Sequence, residues 1–118
     1  MMESVITAYK AFIPTNPCRL IYHGNQGSKQ IPLDKWIKAD KKRVRDGSGD
    51  RWYESSFHVF CKLDEAIKWV KSLRREPKPV IIKVKVKGCR RKAGSKYAIF
   101  LANFLLVEKE TWNNGICN

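Results

Sequence analysis

Histidine is scarce in this 118-residue chain, which carries only His23 and His58, and its four cysteines stand apart at positions 18, 61, 89 and 117. No Cys-x-x-Cys pair occurs to begin a zinc site, so no metal centre is expected. No apolar run approaches the length of a membrane span. Residues 1–12 lack the basic-then-apolar pattern of a secretory leader. A cytoplasmic setting with reduced thiols is the expectation. No Ser/His/Asp or Cys/His arrangement is visible that would activate a nucleophile. Carboxylates are few: 11 Asp and Glu face 24 Lys and Arg, a net charge of +13.

That charge is uneven. Between Lys62 and Lys96 lie 13 basic and 3 acidic residues. Such a field attracts nucleic acid, a phosphorylated ligand, an anionic membrane or an acidic protein face, and it also describes a merely well-solvated surface. The chain length suits a single domain with its own core. A mobile basic loop is expected at about 40–51, where Lys41-Lys42-Arg43-Val44-Arg45 precedes Gly47-Ser48-Gly49, and a loosely ordered tail from about 108.

The centre of the chain reads strand, helix, strand. Leu63, Ala66, Ile67, Val70 and Leu73 recur at helical spacing, with Asp64 and Glu65 in the first turn and Arg74 and Arg75 in the last. Pro77 and Pro79 then forbid continuation. The segments 56–61 and 80–87 on either side are strand-like, as are 5–12, 18–23 and 97–107, the last with a possible bend at Asn103. Residues 32–39 suit a short strand or a helical turn equally. The expected fold is α+β: a mainly antiparallel twisted sheet of five or six strands with one principal helix, Leu63–Arg75, packed on one face. A parallel arrangement of the two strands flanking the helix stays open.

Alternation along Val80–Lys87 puts Ile82, Val84 and Val86 on one face and Lys83, Lys85 and Lys87 on the other. The glycine-bounded stretch that follows, read as a turn, adds Arg90, Arg91, Lys92 and Lys96. With Arg74 and Arg75 these form the candidate anion-binding set. Lysines on an exposed strand also serve simply to keep an edge from aggregating. Gly94-Ser95-Lys96 is no P-loop: the lysine follows the serine and no helical pattern comes after. His58, sharing a strand face with Phe60, suits a structural role. His23, before Gly24, and Tyr53 are the candidate catalytic residues, and Tyr53 and Trp52 beside Arg51 suit stacking on a base and filling the core equally.

Two resemblances follow. Tyr9-Lys10-Ala11-Phe12, a cysteine shortly after, and Ser56-Phe57-His58 before a helix resemble a family of small phage and bacterial proteins. Its members open with Lys-Ala-Phe and carry Gly-Phe-His, with Ser56 here in place of that glycine. The likeness implies a phage or bacterial setting and no particular activity. The order Tyr22-His23-Gly24, Phe57–Phe60, a helix with Asp64, Ala66 and Trp69, then Val80–Val86 looks like compact ADP-ribosyltransferases, including the rifampicin-modifying kind. That resemblance implies NAD held by His23 and Gly24, with Tyr53 or Tyr97 stacking on the nicotinamide. The family's later acidic residue has no counterpart, since no Asp or Glu occurs between Glu76 and Glu108.

Three functions are therefore expected candidates: a non-enzymatic polyanion-binding module, with nucleic acid as ligand and no cofactor; a phage-type factor docking on an acidic host protein; and an ADP-ribosyltransferase-like NAD-binding domain.

Overall fold

The computed structural model describes residues 4–13, 19–20, 31–39, 43–45, 52–54, 56–74, 79–92 and 97–114. Its elements in chain order are β1 (Ile6–Ile13), β2 (Arg19–Leu20), β3 (Ile37–Lys38), β4 (Arg43–Arg45), β5 (Trp52–Glu54), β6 (Phe57–Phe60), α1 (Leu63–Ser72), β7 (Val80–Arg91), β8 (Ile99–Leu106) and α2 (Lys109–Asn114).

The expected twisted sheet with one principal helix packed on one face is corrected by the way β7 pairs. This long strand offers both of its edges, one to β1 from Ile6↔Val86 to Phe12↔Val80, the other to β8 from Lys85↔Leu106 to Arg91↔Phe100. β8 then pairs with β6, and β6 returns to β1 at Tyr9↔Phe60. The four strands close into an antiparallel barrel, and the protein is mainly β rather than α+β. β3 continues alongside β8 beyond the end of β6, and β2 continues alongside β1. The strands flanking α1 run in the same direction, each antiparallel to β1 and β8, and do not pair with one another.

Alternation fills the barrel. Ala8 and Phe12 from β1, Phe57 and Val59 from β6, Ile82, Val84 and Val86 from β7, and Ala102 and Leu105 from β8 are all buried in one cluster. Trp112 of α2 meets the ring of Phe12 edge-on, with centroids 5.9 Å apart, so this short helix covers one end. Asp34, in the left-handed region at φ 58°, ties that end down. Its N–H donates to the Val107 carbonyl at 2.8 Å, and its Oδ1 accepts the N–H of Lys109 at 2.9 Å.

The helix is shorter than its apolar stripe predicts. Leu73 is already extended, at φ −79° and ψ 134°, and its N–H donates to the Val70 carbonyl. The Ser72 hydroxyl turns back to the Trp69 carbonyl at 2.6 Å, a local bond that competes with further helix. Lys71, not Arg74, is the cation of the last turn, and Arg75 lies outside the described residues. α1 lays Ala66 and Val70 over Ala11, Phe60, Ile81 and Ile99, the outward residues of the barrel. Trp69 and Phe60 meet there at 5.7 Å. The helix thus packs on the wall built by β1 and β6; on the outer side of β7 and β8, Lys83 and Arg90 are exposed, Lys85, Lys87, Phe104 and Leu106 are half-buried, and Leu101 is buried.

Within the 40–51 stretch, Arg43–Arg45 forms β4 and pairs with β5; positions 40–42 and 46–51 lie outside the described residues. In the tail, α2 occupies Lys109–Asn114.

Candidate functional site

The β7–β8 wall takes its character from one glycine. Register is unbroken across it, with Lys87↔Phe104 on one side and Cys89↔Ala102 on the other. Val86 and Leu105 point into the barrel, and so do Cys89 and Ala102, so each strand spends two successive residues between inward positions. Gly88 makes this possible at φ +66°, where side chains are disfavoured. Asn103 fills the space beside it: a Cβ on residue 88 would stand 2.7 Å from Asn103 Nδ2. The shared change of face has a consequence for charge. Strict alternation would put Cys89 and Arg91 on the lysine side; instead Arg90 joins Lys83, Lys85 and Lys87.

These four cations span about 23 Å of strand, at roughly 3.3 Å per residue. Lys83 is exposed beside Tyr9, its partner in register. Lys85 pairs with Glu108 at 3.2 Å, both side chains well exposed. The Lys87 ammonium sits 4.2 Å from the Trp36 ring centroid and 5.2 Å from that of Phe104. Arg90 crosses toward β6, donating to Asn103 Oδ1 at 3.2 Å and Ser56 Oγ at 3.1 Å. β3 adds a further cation, since Lys38 is exposed and in register with Phe104.

The remaining sequence candidates are distributed as follows. Arg91 is exposed on the Cys89 side of β7. The stretch expected to turn at Gly88 stays in strand as far as Arg91, and the Lys92 N–H donates to the Ile99 carbonyl at 2.9 Å. Arg74 is exposed just past α1, and no described contact joins it to the β7 row. Lys96, Arg75 and His23 lie outside the described residues, as does the Tyr53 side chain; Tyr97 packs against the cluster under α1. His58 stands on an outward position of β6 opposite Leu101, half-buried. Among the described residues Cys61 and Cys89 form no disulfide, and partial desolvation of Cys61 pushes its pKa up.

Several residues of interest escape the sequence argument. Trp36 and Phe104 meet Lys87 only through the pairing of β3, β8 and β7. Lys10 is buried inside the barrel, where its Nζ donates to the His58 carbonyl at 2.7 Å and lies 6.0 Å from the ring centroids of both Phe12 and Phe57. A period-two signal for it does exist, because Ala8, Lys10 and Phe12 share a strand face. Loss of water around the ammonium pushes its pKa down to about 7.

Among the described residues no helix is long and apolar enough to cross a membrane, and no cluster of three or more His, Cys, Asp or Glu stands ready for a metal ion. Compared with models of protein families, with curated proteins and with solved structures, the chain matches none.

Proposed function

We propose that this protein is a non-enzymatic polyanion-binding module that holds nucleic acid on the outer β7–β8 wall. The observation that carries this reading is the single outward row of Lys83, Lys85, Lys87 and Arg90 along β7, with Lys85 paired to the exposed Glu108. Cations so aligned sum their fields over a continuous strip, and a polyanion that covers the strip releases counterions. Neither NAD nor any other cofactor enters this function.

The test is binding of a fluorescently labelled oligonucleotide across a salt series. Four neutralised phosphates give a log–log slope near −3.6 for duplex and about −2.8 for a single strand. Absence of binding at low salt overturns the proposal. So does binding that is indifferent to salt.

A further inference from the structure

We infer that the ligand of this wall is single-stranded, with its phosphates on the β7 cations and its bases against Trp36 and Phe104; this rests on the anion-binding function proposed above. Three features of the wall carry the inference.

The first is its shape. Duplex recognition through the major groove takes a protruding helix or a two-stranded ribbon. Among the described residues, α1 is committed to the β1–β6 wall and α2 to the barrel end at Phe12. The β7–β8 pair is no free ribbon, because β1 flanks it on one side and β6 and β3 flank it on the other. The wall itself therefore offers a strip on a barrel surface, and the two-stranded β4–β5 pair is a separate sheet that does not belong to it.

The second is the single file of charge. Alternate residues along a strand repeat at about 6.6 Å, so Lys83, Lys85 and Lys87 present one cation per repeat of an extended chain. A duplex offers two phosphate rows across a groove, and among the described residues β7 carries a single row.

The third is the interleaving of rings with cations. Lys87 stands between Trp36 and Phe104, both half-buried, and Lys38 stands on the far side of Phe104. A single strand carries a base beside each phosphate, and unpaired bases stack on exposed aromatic faces without regard to sequence. A duplex keeps those faces stacked on each other, so the rings would gain nothing from it.

The experiment compares three labelled ligands of about twelve nucleotides, within the usual site size for single strands: oligothymidylate, an abasic phosphodiester of the same length and charge, and a duplex. The natural chain should bind oligothymidylate at least about tenfold more tightly than the abasic strand, and no less tightly than the duplex. Trp36→Leu should bring oligothymidylate down toward the abasic level; circular dichroism verifies its fold, and the abasic comparison holds without any variant. Equal binding of the thymidylate and abasic strands overturns the inference, because the rings then touch no base. Clear preference for duplex also overturns it. In both cases the anion-binding function survives. Failure of all three ligands at low salt removes that function and this inference together.

Discussion

Lys10 Nζ and the His58 carbonyl oxygen are 2.7 Å apart inside the barrel, a contact between β1 and β6 at a place where apolar side chains otherwise fill the space. No carboxylate partner is described for the ammonium, and burial alone drives its pKa from 10.5 to about 7. The sign follows directly. Between about pH 7 and 10.5 the unfolded chain holds a proton on Lys10 that the folded chain has released, so stability from this group rises with pH across that window. Below about pH 7 both states are charged and the full burial penalty is felt.

Lys10→Met therefore stabilises the fold at about pH 6, by roughly 2 kcal/mol after allowance for the His58 carbonyl left without its donor. At about pH 10 the advantage disappears, because the native lysine is then neutral in the folded chain. Urea unfolding of both proteins at the two pH values measures this. An equal difference at both would show that the ammonium is solvated after all.

Gly88 and Asn103 make a second testable pair. Gly88→Ala meets both a disfavoured φ of +66° and an approach of 2.7 Å to Asn103 Nδ2, and it should cost about 1–3 kcal/mol. Adding Asn103→Ala removes the approach to Nδ2 and Cγ but leaves the Cβ of residue 103 at 3.0 Å and the backbone strain, so the double variant recovers part of the loss. A double-mutant cycle measures that coupling. Strict additivity would mean that Asn103 moves aside freely and does not fix the change of face.

These two pairs show what can and cannot be read from the chain. The inward set Ile82, Val84, Val86 and the outward lysines follow from period-two alternation and are found as expected. The same alternation does not foretell the change of face at Gly88, because glycine at the end of a regular run reads as a turn when its neighbour Asn103 is not known to be opposite. Closure of the barrel has a similar cause. β7 pairs with β1, more than seventy positions earlier in register at Thr7↔Lys85, and no local pattern states that both edges of one strand are used. The helix keeps its apolar stripe but ends at Ser72, where a hydroxyl and the extended Leu73 outweigh periodicity. Trp36 becomes part of the cation strip only by tertiary pairing.

Location of charge, rather than its total, should govern binding. Lys83→Ser with Lys85→Ser and Lys68→Ser with Lys71→Ser each remove the same charge, the first pair from the β7 wall and the second from exposed positions on α1. On a single-stranded ligand the wall variant should lose about 1.4 in the magnitude of its log–log salt slope. The helix variant should keep the slope of the natural chain within error. Equal losses from the two would indicate a diffuse field and no defined strip.

Glu108 offers the opposite manipulation. Its Oε1 lies 3.2 Å from Lys85 Nζ with both side chains exposed, so the pair contributes at most about 1 kcal/mol to stability. To a phosphate approaching Lys85, however, the carboxylate is a like charge a few ångströms away, worth about 1 kcal/mol of repulsion in water-like surroundings. Glu108→Gln should leave unfolding nearly unchanged and tighten oligonucleotide binding by roughly fivefold at low salt, an increase that fades as salt screens it. The gain must also vanish when Lys85 is serine, since the freed ammonium is its source. Tightening that persists without Lys85 would place the phosphate path elsewhere on the surface, and no tightening at all would mean that the path does not pass between Thr7 and Leu106, the residues that flank Lys85 in register.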